Sequence, residues 1–383
     1  MGGWTILSLS IYKDDSELFE FILSAVEEFG GPKAPEEYIL PIYGMQRYSA
    51  CAHVRLALAL GRIWVLEELM KRYTFGIHYD SLREQDHEIQ KAKPKYYRGL
   101  VVNGIRTQVN NPYETSSPNT KDIQKPLQVA AYFGNLDSIK WLLSDRPWGC
   151  LDSFIGRNPE NECAKLLRNQ GDALPKIFRE SLGLDNRNLP HICLLGWAGP
   201  DPMEAFQFLV SRPGSLDSRT NAGLTPALFA VVKRRIHAIE YLRREDVAAD
   251  FSTRDFMGRN ALHLTFCDTD DRPNLSVSTI EEIVKLLPED KLADMFLQRT
   301  RRRGHTPLAH LLHHLFQPPR YGNNQFPIHV VKVLLKYSKG NELGLFDFEG
   351  NLPIHTVATP LLSSLSSVTS VLTWGTTRLS GET

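Results

Sequence analysis

Apolar residues in this chain recur in short blocks with the three- and four-residue spacing of one helix face, and the blocks come in pairs. Leu127, Val129, Ala130, Ala131, Tyr132 and Phe133 precede Gly134, and Ile139, Trp141, Leu142 and Leu143 follow it. That pattern predicts a short helix, a glycine turn and a second, amphipathic helix. The same form recurs from Thr5 and Leu9 to Leu18 and Leu23, from His53 through Gly61 to Leu66 and Leu69, and from Leu189 and Leu195 to Phe206 and Leu209. A degraded pair is expected between Cys163 and Phe178.

Four further segments share a tighter frame, in which a Gly precedes a Pro or Ala by three positions: Gly223 and Pro226, Gly258 and Ala261, Gly304 and Pro307, Gly350 and Pro353. The residue just before that Pro or Ala is Thr225, Asn260, Thr306 or Leu352. Gly admits the tight turn, Thr or Asn caps the next helix through a side-chain oxygen, and Pro suits the first helical position.

Thr225-Pro226-Ala227-Leu228, Asn260-Ala261-Leu262-His263, Thr306-Pro307-Leu308, Pro353-Ile354-His355 and Ala130-Ala131 with Gly134 resemble the TPLH opening, the paired small residues and the glycine of ankyrin repeat proteins. The resemblance runs from about Thr5 to Ala358 in seven to eight diverged copies. It implies an all-α repeat solenoid, stacked helix pairs joined by short β-hairpin fingers. Pro126 and Pro226 are 100 positions apart, close to three of the family's periods of roughly 33. Pro226 to Ala261 is 35 positions, whereas Ala261 to Pro307 and Pro307 to Pro353 are 46 each. The surplus falls in the turn-rich stretches Asp268–Asn274 and Gln317–Asn324, which are expected to project from one edge and form a composite surface.

Four segments follow: repeats over 1–73, a long insertion over 74–122, a repeat array over 123–358, and a Ser/Thr-rich tail over 359–383. In the insertion, Asn103-Gly104 lies between β-prone runs, the strongest short-range signal for a hairpin, and an elongated finger is expected there. After Ala358 the last copy's second helix does not arrive. The tail would leave the stack without a polar cap, as a truncated or mistaken reading frame would.

Lys plus Arg and Asp plus Glu both number 44, so no global field gathers nucleic acid or an anionic membrane, and neither is expected as a partner. The five cysteines are widely spaced and form no CxxC pair, which excludes a disulfide framework or zinc ribbon and fits reduced thiols. With no basic, apolar leader and no long apolar run, cytoplasm or nucleus is the expected location.

His310, His313 and His314 lie within one helical turn, a spacing that suits a metal, but no Glu completes an HExxH arrangement. His313 and His314 are instead expected at an exposed helix end. His191 with Cys193, and Cys51 with His53, read as buried thiols near imidazoles rather than as nucleophile and base. His263 and His355 occupy the fourth TPLH position, which implies a hydrogen bond within the turn. No phosphate loop, nucleophile elbow or dinucleotide fingerprint is present, and no cofactor is expected.

The expected function is therefore exercised by a surface: a non-enzymatic, monomeric adaptor that binds a protein through fingers and first helices. Candidate contacts are Phe256 and Met257 on one finger, Arg301, Arg302 and Arg303 on another, Tyr132 and Phe133 at one helix end, Trp197 at another, and His313 and His314. The arginines also read as a nuclear import signal. Two alternatives are a co-regulator that binds a transcription factor and, from another class, a metal protein or enzyme built on the His310 helix.

Overall fold

Each amphipathic block folds as a helix too short to bury its own apolar stripe, so the chain stacks pair upon pair. The computed structural model describes residues 6–29, 51–73, 126–169, 181, 186–197, 202–265, 277–315, 328–338 and 340–355. Its contacts divide the chain into two units, Met1–Ser215 and Leu216–Thr383.

In the first unit, four pairs are described: α1 (Ile6–Lys13) with α2 (Ser16–Phe29), α3 (Cys51–Leu60) with α4 (Ile63–Tyr73), α5 (Pro126–Phe133) with α6 (Leu136–Leu143), and α9 (Leu189–Gly196) with α10 (Pro202–Val210). First helices pack in the order α1, α3, α5, α9, and α4 touches α6 as α6 touches α10. Phe19, Leu23, Leu66, Leu69 and Phe206 are fully buried between the layers. Side chains of that size stabilise by roughly 1.5–3 kcal/mol each when taken out of water.

One turn geometry repeats between the helices of a pair. The residue after the first helix is left-handed at Asp14 (φ 61°), Gly61 (φ 70°), Gly134 (φ 65°) and Trp197 (φ 44°). The next N–H reaches back to the helix carbonyls, Asp15 to Ser10 at 2.9 Å, Arg62 to Ala57 at 2.9 Å and Asn135 to Ala130 at 3.0 Å. This is the backbone bond of a Schellman cap. Neighbouring turns are tied together where Arg62 Nη1 and Trp64 Nε1 donate to the Asp14 carboxylate at 2.7 and 2.9 Å.

The interval from Pro126 to Pro226 does not hold three stacked copies. Helices α7 (Arg146–Arg157) and α8 (Glu162–Asn169) leave the row, α7 packing on α4 and α6 while α9 takes the place beside α5. The stripe Pro147, Cys150, Leu151, Phe154 and Ile155 turns inward. Helix α8 forms where the degraded pair is expected to begin, and the rest of that pair, to Phe178, lies outside the described residues.

The second unit repeats the two-layer order with α11 (Pro226–Val232) and α12 (Ile236–Arg243), α13 (Ala261–Thr265) and α14 (Val277–Leu286), and α16 (Pro307–Leu315) and α17 (Ile328–Ser338). An extra helix, α15 (Glu289–Leu297), precedes the third of these pairs, and a 3₁₀ turn, Asn341–Gly344, follows it. First helices pack as α11, α13, α16 and second helices as α12, α14, α17. The caps form as expected: Thr225 Oγ1 accepts the Leu228 N–H at 3.3 Å, Thr306 Oγ1 that of Ala309 at 3.3 Å, and Asn260 Oδ1 that of His263 at 3.1 Å. Replacing Thr225 by Ala is expected to lower stability by about 1 kcal/mol in denaturant titration, the usual cost of a lost cap; an unchanged midpoint would mean that the cap contributes nothing.

No β-strand occurs among the described residues, and the fingers of the second unit are tight turns. The insertion over 74–122, the loops Asp268–Asn274 and Gln317–Asn324, and the tail over 359–383 lie outside the described residues. No helix among those described is long and apolar enough to cross a membrane.

Candidate interaction surface of the finger row

Four turns precede the first helices of the second unit, and each is closed by the side chain that opens it. Thr220 Oγ1 accepts the Leu224 N–H at 3.1 Å, and Thr300 Oγ1 that of His305 at 3.1 Å. Asp255 accepts the Arg259 N–H and Nε, both at 2.7 Å, and Asp347 accepts the N–H groups of Glu349 and Asn351 at 2.9 and 2.7 Å. A short side-chain acceptor at this place fixes the backbone two to five residues on, which is why Thr and Asp occupy it.

The tips are then bonded to one another through the main chain. Phe256 N–H donates to Ala222 O at 3.1 Å, Arg301 N–H to Met257 O at 2.8 Å, and Phe348 N–H to Arg303 O at 3.0 Å. Phe256 lies on Gly223, Arg301 on Gly258 and Phe348 on Gly304. At Gly304 two demands coincide, a φ of 71° and a neighbouring ring 2.6 Å from where a Cβ would sit, so only glycine serves there.

This bracing holds the tip side chains outward. Phe256 is 53% exposed, Met257 47% and Phe348 61%, and Arg301, Arg302 and Arg303 are exposed beside them. Phe348 was legible by the same frame that marks Phe256, since each stands two positions before the finger's glycine.

Behind the tips lie four imidazoles. His263 is fully buried; its Nε2–H donates to His305 O at 3.0 Å, and its Nδ1 accepts the Asn260 N–H at 3.3 Å. Burial, with Arg254 and Arg259 adding, pushes its pKa down to about 3. The rings of His263 and His310 are 5.6 Å apart and those of His305 and His313 are 5.0 Å apart. His305 Nε2 stands 3.6 Å from the Asp347 carboxylate. Burial opposes ionisation of Asp347, but the bonds from Asn351 and Glu349, with His305 adding, hold its carboxyl below the usual range.

His313 is therefore half-buried, with its Nε2 against the Arg303 guanidinium, and not a free exposed ring. The side chain of His314 lies outside the described residues. No cluster of three His, Cys, Asp or Glu side chains that would hold a metal occurs among the described residues.

Three candidates from the first unit are packing residues. Tyr132 is buried where Gly196 meets its main chain, and its ring packs edge-on to Phe133 at 5.3 Å. Phe133 is half-buried, and the Arg55 guanidinium covers its ring at 5.3 Å. Trp197 turns inward from its left-handed cap to meet Phe206 edge-on at 5.8 Å. His191 and Cys193 are both buried, and Cys193 Sγ faces the Pro202 carbonyl at 3.7 Å. Burial pushes the Cys150 thiol up to about 11.

No model of a known family matches the chain. No curated protein matches it either. Among solved structures it is similar to the ankyrin repeat domain of Bcl-3, a unique member of the IkappaB protein family, at 16% identity and a TM-score of 0.35, with 61% of this chain and 94% of that one covered. A score that low assigns nothing by itself. By its own helix pairs, left-handed caps and finger turns, the chain is built of ankyrin-like repeats.

Proposed function

We propose that the chain is a non-enzymatic scaffold that binds a protein partner through the finger row and adjoining helix ends of its second unit. The supporting observation is the row itself: Phe256, Met257, Arg301, Arg302, Arg303 and Phe348 stand exposed on tips locked to one another by main-chain hydrogen bonds. Aromatic, Met and Arg side chains carry most interface energy, and a rigid backbone spares the entropy of ordering them on contact. Affinity capture with the full chain and with F256A/M257A/F348A tests the reading. At least a tenfold loss of recovery is expected at unchanged thermal midpoint, and equal recovery removes the row from the interface.

A narrower form, with a transcription factor as the partner, draws on the exposure of Arg301–Arg303, as an import signal requires. Fluorescence of a tagged full chain is expected to leave the nucleus in R301A/R302A/R303A. An unchanged distribution removes that form.

A further inference from the structure

The finger row is charged unevenly in a chain whose acidic and basic residues balance at 44 each. Arg301, Arg302 and Arg303 are exposed, and none is ion-paired among the described residues. Two more guanidinium groups on the row are held by carbonyls, which orient a charge without cancelling it. Arg219 Nη1 donates to Gly223 O at 3.0 Å and to Arg254 O at 2.9 Å. Arg254 Nε donates to Gly258 O at 2.9 Å, and its Nη2 to Arg299 O. The acidic groups nearby are already engaged: Asp255 pairs with Arg259, and Asp347 is consumed within its own turn and faces His305. Exposed acids stand at the two ends of the row, Asp217 before the first tip and Glu349 on the fourth. Five cations therefore stand along the first three fingers, and large apolar side chains flank the arginines on both sides, Phe256 and Met257 before, Phe348 after.

We propose that this row, from Asn221 to Phe348, docks an acidic segment of a partner protein, with carboxylates against Arg301, Arg302 and Arg303 and large apolar side chains against Phe256, Met257 and Phe348. The inference rests on the scaffold reading and specifies the chemistry of its partner. Guanidinium forks match carboxylates bidentately, and complementary charge sets orientation and speeds encounter. Nucleic acid fits less well. A duplex is held by many phosphate contacts along a continuous basic track, whereas this row is interrupted by apolar tips and ends in Glu349.

The test uses the immobilised full chain and a random 16-residue peptide display library, with a single-stranded oligonucleotide of similar length as competitor. Selected peptides are expected to carry an excess of Asp and Glu among large apolar residues. Their affinity is expected to fall at least tenfold in R301E/R302E/R303E and to weaken between 50 and 200 mM salt. Because Arg303 also meets His313, R301A/R302A serves as a second variant that leaves that contact in place, with a loss of at least threefold expected. Peptides selected without acidic excess, or unmoved by either variant, overturn the acidic partner and leave the scaffold standing. An oligonucleotide that displaces the peptides and binds more tightly overturns it in favour of nucleic acid. Failure to select any peptide overturns both readings.

Discussion

Replacing Gly196 by Ala is expected to destabilise the first unit by about 3 kcal/mol, although the substitution removes a glycine from a helix. Intrinsic propensity alone favours Ala by about 1 kcal/mol. The opposing effect is steric. A Cβ at this position would lie 2.7 Å from the Tyr132 carbonyl carbon, nearer still to its oxygen, and 2.9 Å from the tyrosine ring. The obstacle is main chain, so no rotamer change relieves it, and α5 and α9 must separate. Overpacking of this kind costs 1–3 kcal/mol and occasionally more, and separation also loosens Leu127, Ala130, Ala131 and Ile192 from their neighbours. Gly149→Ala and Gly156→Ala supply the control, because open space surrounds both positions on α7. Those variants are expected to gain up to about 1 kcal/mol. Of the six tryptophans, Trp4, Trp64, Trp141, Trp148 and Trp197 precede Ser215, so denaturant unfolding followed by fluorescence reports the first unit. Equal midpoints for Gly196→Ala and Gly149→Ala would refute the steric account.

What was legible in the sequence follows from the range of the interactions involved. Thr225, Asn260 and Thr306 satisfy an N–H three residues away, so a four-residue window reveals them. The glycines of the finger turns are equally local. Direction was not legible. An apolar stripe states that a helix is buried without stating against what, so the spacing of Pro126 and Pro226 reads as about three periods whereas α7, which lies between them, packs on α4, earlier in the chain. Trp197 was misplaced for a related reason: its left-handed cap swings the ring onto Phe206, and a non-glycine cap leaves no mark in the sequence.

The imidazoles show the same limit at the candidate surface. His310 and His313 are visibly one turn apart, but their ring neighbours His263 and His305 come from other turns. The spacing on one helix thus shows only some of the rings that each imidazole meets. The finger row differs in one respect: Phe256, Met257 and the arginines occupy fixed offsets from glycines, so their exposure follows from local geometry even though their alignment with each other depends on bonds between repeats.

Acidification is expected to loosen the second unit, and His263 is expected to set much of the slope. In the folded state this ring takes a proton only near pH 3, whereas in the unfolded chain it does so near 6.5. Above pH 6.5 both states hold it neutral, and it contributes no pH dependence. As pH falls below that value the unfolded chain binds a proton that the folded chain refuses, so stability drops by about 1.4 kcal/mol per pH unit until the folded ring titrates. The folded ring refuses because burial penalises the charge, with Arg254 and Arg259 adding, and this outweighs the bond from Nε2–H to His305 O, which favours the proton. His263→Gln removes the titration. At pH 7.5 the variant is expected to be less stable by about 2 kcal/mol, since truncating a buried hydrogen-bonded group leaves its partners unsatisfied. At pH 5 the gap between variant and parent should nearly close, because the parent loses about 2 kcal/mol on acidification that the variant does not. Other imidazoles act equally on both proteins and cancel in the difference. Hydrogen exchange of the amides in α13, measured at the two pH values, reads the effect, and a gap that stays constant would show that His263 takes up its proton as readily folded as unfolded.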